Sequence, residues 1–180
     1  MAYVTTASKG AHSLDYLDRA KKIFADNHYN YEELDLDGKN EQWLRDYMKN
    51  FDVVYMQGGN TFYLLRAIRE SGFDNVLKDL VPKGLYYIGA SAGSYVACPT
   101  IEMATWKEPN KYDRYGMTDF TGMNLVPFCV SVHYTPEYHD ILKEKIVSFN
   151  YPVHILNDDQ AILVSGSEAK LIGDSNKIEL

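Results

Sequence analysis

The chain has 180 residues, of which 46% are hydrophobic and 24% are charged, and its formal net charge at pH 7 is −7. A chain of this length and composition is expected to fold as one globular domain, residues 1–180, which excludes an intrinsically disordered protein. The acidic balance excludes a general binder of nucleic acid or of anionic membranes, because no basic excess is available to neutralise phosphate groups.

Hydrophobic periodicity in the first hundred residues predicts strands that alternate with amphipathic helices. The predicted strands are residues 2–8, 31–37, 51–57 and 84–91. The predicted helices are residues 13–27, with Ser13 as the N-cap, then 40–50 and 61–71, and a fourth helix that opens at Ala92. This alternation is typical of βαβ units, so we expect a three-layer α/β sandwich with a mostly parallel sheet.

The pattern changes after Pro99. Residues 107–120 are predicted to form a polar and aromatic loop, residues 124–134 a strand, and residues 136–149 a helix. Residues 152–173 are predicted to form a set of short antiparallel strands. Because ligands of open α/β sheets bind beyond the carboxyl ends of the strands, we expect the functional site close to the end of the third and fourth strands.

Five small residues, G-A-S-A-G at 89–93, join the fourth predicted strand to its helix. A sharp strand-to-helix turn strains the residue at its apex and requires small neighbours. Such a turn would expose the Ser91 hydroxyl at a helix N-terminus and make it a nucleophile, with the N–H groups of Ala92 and Gly59 as oxyanion hole. The alternative interpretation is that these residues pack a helix against the sheet and Ser91 is an N-cap.

A serine nucleophile requires a base and a group that orients the base. His133 is the best candidate base, because it ends a predicted strand at the sheet edge where Ser91 is expected. The other histidines are expected in surface, capping or core positions: His12, His28, His139 and His154. Five acids are candidates for the orienting carboxylate: Glu102, Asp113, Asp119, Asp158 and Asp159. Turn chemistry is the favoured explanation of the last two, so the residues alone leave the acid open.

Cysteine content and motif spacing bear on cofactors and compartment. Cys98 and Cys129 are too few for a disulfide framework and fit no zinc pattern, so we expect two buried, reduced thiols. The glycines at 58–59 lack the spacing of a dinucleotide loop and the lysine of a phosphate loop, and we expect no metal and no cofactor. No apolar run approaches the roughly 20 residues of a membrane span, and we expect a cytoplasmic protein without a signal peptide.

Four segments together carry a resemblance to a known family. They are GGNTFYLL at 58–65, LYYIGASAGSYVACPTI at 85–101, NLVPFCVSVHY at 124–134 and ILNDDQAILV at 155–164. In this order and spacing they resemble the peptidase E and cyanophycinase family of serine peptidases. The resemblance implies a flavodoxin-like or class I glutamine-amidotransferase-like sheet.

The resemblance also implies a role for each site residue. Ser91 would be the nucleophile, His133 the base and Asp158 the orienting acid, a place where the family often has glutamate. Gly59 and Ala92 fall on the oxyanion-hole positions. Family members usually begin with a further strand and helix ahead of the segment that matches residues 2–8.

The implied activity is hydrolysis of small peptides by a dipeptidase or exopeptidase that forms an acyl-enzyme. Candidate substrate contacts are Asn60 and Tyr134, with the loop cations Lys107, Lys111 and Arg114 as candidate carboxylate contacts. Leu142 and Lys143 stand where an arginine would grip an aspartyl substrate, so a preference for N-terminal aspartate is unsupported.

Two alternatives stay open. A non-catalytic or inactive member of the family would bind a small anionic ligand at the glycine turn and the helix N-terminus. A chain that lacks the family's leading strand would expose an apolar face or edge, and a homodimer is one assembly that would cover it.

Overall fold

The computed structural model describes residues 1–11, 13–110, 113–174 and 176–180. The surface or capping role predicted for His12 and the carboxylate contact predicted for Lys111 lie outside the described residues. The strands, in chain order, are β1 (Ala2–Val4), β2 (Glu32–Leu34), β3 (Val53–Met56), β4 (Tyr86–Gly89), β5 (Cys129–Ser131), β6 (Val153–Ile155), β7 (Gln160–Ser165) and β8 (Glu168–Gly173).

The α-helices are α1 (Asp15–Asp26), α2 (Glu41–Met48), α3 (Thr61–Ser71), α4 (Phe73–Leu80), α5 (Ala92–Ala97) and α6 (His139–Val147). Short 3-10 helices lie at Thr6–Gly10, Val81–Lys83, Glu102–Thr105 and Pro136–Tyr138. In the described part of the chain, every helix is too short or too polar to cross a lipid bilayer.

Strand pairing is mostly parallel. A four-stranded parallel sheet has the order β2-β1-β3-β4, and β5 and β6 form a second parallel pair. Strands β7 and β8 form an antiparallel hairpin at the C-terminal end. The predicted α/β class, with a mostly parallel sheet and C-terminal antiparallel strands, is therefore confirmed.

One pairing differs from the prediction. The strand β6 was expected among the antiparallel strands of residues 152–173, but Val153 pairs in parallel with Cys129 of β5. The physical reason is the intervening helix α6, because a crossover through a helix returns the chain in the same direction and allows parallel pairing.

Helices cover both faces of the four-stranded sheet. On one face, Tyr3 of β1 packs edge-to-face against Phe24 of α1, with ring centroids 5.1 Å apart. On the other face, Ala2 and Val4 join the main core, to which α2, α3, α4 and α5 contribute their buried side chains. The edge strand β4 leaves Tyr86 70% exposed and Ile88 44% exposed on the face that carries α1.

Helix boundaries follow local capping. Asn60 caps α3 and Gly72 ends it with φ of 71°, so the predicted helix 61–71 is confirmed. The predicted Ser13 cap was wrong: α1 begins at Asp15, and its N-cap residue is Leu14. Helix α4 is missing from the prediction, although Phe73, Val76 and Leu77 have helical spacing, because a glycine after a helix ordinarily marks its end, whereas Gly72 both ends α3 and precedes α4.

The buried face of α3 carries a stability prediction. Leu64 is 0% exposed, so Leu64→Ala should lower the free energy of unfolding by about 2–5 kcal/mol through the cavity that it leaves. Leu163 is 56% exposed, and Leu163→Ala should change the same quantity by less than about 0.5 kcal/mol. Urea denaturation measures both, and equal losses would contradict this description of the core.

Candidate active site

Ser91 occupies a strained turn between β4 and α5. Its backbone has φ of 50° and ψ of −109°, a conformation that costs a residue with a side chain about 1–3 kcal/mol. The N–H of Ala90 donates to the Met56 carbonyl at 3.0 Å, and the Ser94 hydroxyl donates to the Gly89 carbonyl at 2.7 Å. The first bond holds the turn against the end of β3, and the second closes the turn between β4 and α5.

Close backbone packing explains the glycines around this turn. A Cβ atom at Gly93 would lie 2.1 Å from the Met56 carbonyl oxygen, and one at Gly58 would lie 2.9 Å from Ser91 Cβ. A methyl group fits at neither position without movement of the backbone or of Ser91 itself. The small residues therefore do pack a helix against the sheet, and the same packing places the serine at the apex.

Three side chains from separate elements form a continuous hydrogen-bonded chain. Ser91 Oγ lies 2.8 Å from His133 Nε2, and His133 Nδ1 lies 2.5 Å from Asp158 Oδ1. Ser91 follows β4, His133 follows β5 by two residues, and Asp158 follows β6. The imidazole is 56% exposed and the carboxylate 76% exposed, so the chain of contacts is open to solvent.

The geometry separates Asp158 from its neighbour. Asp159 donates its backbone N–H to Asn157 Oδ1 at 3.0 Å, and its carbonyl accepts from the Asp174 N–H at 3.0 Å. Its position is thus held within the turn before β7. Among the two turn acids, Asp158 is the one that contacts His133.

The other three candidate acids have contacts or positions outside the Ser91–His133–Asp158 chain. Asp113 Oδ1 accepts from the Tyr115 N–H at 2.7 Å, and Asp119 pairs with Arg69 at 3.1 Å. Glu102 begins the 3-10 helix Glu102–Thr105.

The other three described histidines contact residues outside the Ser91–His133–Asp158 chain or are exposed to solvent. His154 is half-buried against the ring of Phe128, and desolvation lowers its pKa. His139 is partly buried rather than fully exposed, with Nδ1 3.4 Å from the Tyr134 hydroxyl. His28 is exposed, two residues beyond the end of α1.

Gly59 and Ala92 lie where an oxyanion hole is expected. Gly59 lines the same cavity as Ser91 and has φ of 142°. A Cβ atom at this position would collide with the Ala7 carbonyl oxygen, at a distance of only 2.3 Å. Ala92 is the first residue of α5, where backbone N–H groups have no acceptor within the helix. Both N–H groups are thus placed at the ends of the two strands that flank the site.

Asn60 is a helix cap. Its side chain is 1% exposed, and Oδ1 accepts from the N–H groups of Phe62 at 2.9 Å and Tyr63 at 3.0 Å. Nδ2 donates to the Asp113 carbonyl at 3.1 Å, and this bond links the loop that contains Asp113 to the start of α3. These contacts make Asn60 a cap of α3, and its contact with a substrate stays a prediction.

A cavity of about 380 Å³ opens beside Ser91 and His133. Its lining includes the apolar side chains of Phe62, Tyr95 and Met103. The segment after His133 contributes Thr135, Glu137 and Tyr138, whereas the Tyr134 hydroxyl lies near His139 as described above. The cavity is large enough for a few side chains of a bound peptide.

The two described loop cations contact the protein itself. Lys107 Nζ donates to the carbonyl oxygens of Val132 and of His133, the latter at 3.1 Å. The Arg114 guanidinium donates to the Pro109 carbonyl. Leu142, at the position where an arginine would grip an aspartyl substrate, is 0% exposed in the core.

The two thiols are buried and free, as predicted. A hydrogen bond with Cys129, together with burial, raises the pKa of Cys98. Among the residues that the structure describes, no group of three or more His, Cys, Asp or Glu side chains could hold a metal ion.

A serine hydroxyl at a strained turn, bonded to an imidazole that contacts a carboxylate, is typical of serine hydrolases. Comparison with known proteins agrees: the profile of peptidase family S51 matches residues 1–172. An uncharacterized peptidase of Pasteurella multocida (strain Pm70) is 32% identical over 98% of this chain and 86% of its own length. Peptidase E of Nostoc sp. (strain PCC 7120) is 29% identical over 97% of this chain and 72% of its own length.

Solved structures show the same fold. A crystal structure of a Listeria monocytogenes EGD-e protein assigned as a peptidase E superposes with a TM-score of 0.83 at 26% identity, covering 97% of this chain and 85% of that one. The chain belongs to peptidase family S51, and it is a peptidase of the serine hydrolase class.

The backbone at Gly59 leaves no room for a side chain. Gly59→Ala should lower the free energy of unfolding by about 1–3 kcal/mol more than Gly38→Ala, because its methyl group would collide with the Ala7 carbonyl. Gly38 is the matched control, since its φ is also positive, at 72°, but a Cβ atom there meets nothing within 4 Å. Equal losses in urea denaturation would show that the close approach to Ala7 is unimportant.

Proposed function

We propose that this chain hydrolyses small peptides through an acyl-enzyme on Ser91, with His133 as general base and Asp158 as the orienting acid. The observation that carries the proposal is the pair of contacts on one imidazole, 2.8 Å to Ser91 Oγ and 2.5 Å to Asp158 Oδ1. The triad roles implied by the family resemblance agree with this assignment. The chain's membership of a serine peptidase family supports it as well.

In the first half-reaction, Ser91 Oγ attacks the scissile carbonyl carbon while His133 Nε2 takes the hydroxyl proton. Asp158 accepts a hydrogen bond from Nδ1–H and so keeps the proton-accepting nitrogen directed at Ser91. The N–H groups of Gly59 and Ala92 would stabilise the oxyanion. Collapse of the intermediate breaks the C–N bond, and the leaving amine takes the proton from His133.

In the second half-reaction, a water molecule gives a proton to His133 Nε2 and its oxygen attacks the acyl carbon. The bond between that carbon and Ser91 Oγ then breaks, and the proton returns to the serine. The peptide acid and the free enzyme result. The solvent exposure of His133 supports this step, because water reaches the imidazole without movement of a lid.

The charges around the cavity bear on which peptide is cleaved. Its lining includes two carboxylates, Glu108 and Glu137, and one cation, Lys107, whose ammonium donates to backbone carbonyls. An acidic substrate side chain would be repelled by the exposed carboxylate of Glu137. We therefore propose that the substrate residue in this cavity is uncharged or cationic rather than aspartate.

Matched carboxamide variants test the triad. Asp158→Asn should lower kcat by about 10²–10⁴-fold, because the imidazole loses the carboxylate that fixes its orientation. Asp159→Asn is the control and should stay within about twofold of the parent, since the known contacts of Asp159 are made by its backbone. Rates are measured over a small library of dipeptides and blocked peptides. The opposite ranking of the two variants would overturn the assignment of Asp158.

The same library tests the substrate side chain. Leu-Leu should be hydrolysed with a kcat/KM at least about fivefold higher than Asp-Leu, equivalent to about 1 kcal/mol of like-charge repulsion. Glu137→Gln should narrow this ratio, whereas Glu144→Gln, an exposed residue on α6, should leave it unchanged. Faster hydrolysis of Asp-Leu by the parent would contradict the proposed selectivity.

A further inference from the structure

We infer that Lys107 is a positioning residue that holds the His133 peptide in the conformation that directs its imidazole to Ser91. This inference rests on the proposed function for its catalytic consequence, although its structural part stands on the contacts alone. Lys107 was one of three candidate contacts for a substrate carboxylate, with a solvated loop as the alternative. The structure directs its ammonium to two successive backbone carbonyls instead, those of Val132 and His133.

The His133 backbone requires such support. Its φ is 58°, in the left-handed region that a residue with a side chain rarely adopts. Backbone bonds to Leu156, the residue after β6, anchor the segment: the Tyr134 N–H donates to the Leu156 carbonyl at 2.9 Å, and the Leu156 N–H donates to the Ser131 carbonyl at 2.9 Å. These bonds fix the residues on either side of His133 but leave its own peptide orientation to other contacts.

The ammonium group of Lys107 supplies contacts on the carbonyl side. A lysine ammonium has three donors and no acceptor, so it can bridge the Val132 and His133 carbonyls at once. Rotation of the His133 peptide out of its left-handed conformation would move at least one carbonyl away from the ammonium. The bridge therefore favours the conformation seen here over the ordinary extended one.

Lys107 is itself held in place. The preceding residue, Trp106, is 3% exposed and packs edge-to-face on Phe149, with ring centroids 4.9 Å apart. The Lys107 ammonium also lies 5.1 Å from the ring centroid of Tyr138, within the range of a cation–π contact. A buried anchor at one end and a ring at the other give the side chain a defined direction.

The variants Lys107→Met and Lys107→Arg test this role, with Lys170→Met, an exposed lysine on β8, as control. Lys107→Met should lower kcat by about 10–100-fold with KM within about twofold of the parent, because a misplaced base slows chemistry and leaves binding intact. Lys107→Arg should recover kcat to within about threefold, since a guanidinium also bridges two carbonyls. Thermal unfolding of all three variants must first match the parent.

A rise in KM with unchanged kcat would overturn the inference and return Lys107 to a substrate contact. The ¹⁵N resonances of the His133 ring provide a readout that does not require turnover. The parent and Lys107→Arg should show one tautomer with the proton on Nδ1, and Lys107→Met should show a mixture. If the parent hydrolyses nothing, the proposed function fails, and identical ring spectra in parent and Lys107→Met would separately overturn the role of Lys107.

Discussion

The site depends on the close approach of the end of β3 to the turn that follows β4. The Ala90 N–H bonds to the Met56 carbonyl at 3.0 Å, and the absence of a side chain at Gly93 lets α5 lie against that same carbonyl. This packing leaves Ser91 at φ of 50° with its hydroxyl oxygen 2.8 Å from His133 Nε2. Its cost of about 1–3 kcal/mol is offset by the buried helices α3 and α5, which pack on each other beneath the turn.

Two further positive φ angles surround the serine, 142° at Gly59 and 58° at His133. Uncommon backbone angles at three neighbouring positions, after the ends of β3, β4 and β5, are typical of a preorganised site. Each triad residue follows the end of a strand, and this placement orients its side chain. Residues outside the triad stabilise the backbone at or next to these strand ends. Asn60 caps the start of α3 directly after the glycine turn, and Lys107 bridges the carbonyls of Val132 and His133.

Much of this arrangement was predictable from short stretches of sequence. The hydrophobic periodicity of residues 2–97 predicts β1 to β4 and three of the helices between them. The five small residues at 89–93 predict the strand-to-helix turn at Ser91. Long-range pairing was less accessible. Contact between His133 and Asp158 requires β5 and β6 to lie side by side in parallel, and the residues of β6 had been expected in an antiparallel set. The directions of Asn60 and Lys107 were missed because a polar side chain in a loop has the same pattern whether it meets a ligand or a backbone group.

The most direct test of the central claim is the site of modification by a fluorophosphonate, located by peptide mass spectrometry. The account predicts a covalent phosphonyl group on Ser91 of the folded protein, with no modification of the same serine after unfolding in urea, because its reactivity comes from the turn and from His133. A folded protein in which Ser91 stays unmodified, or in which another serine reacts in its place, would contradict the account.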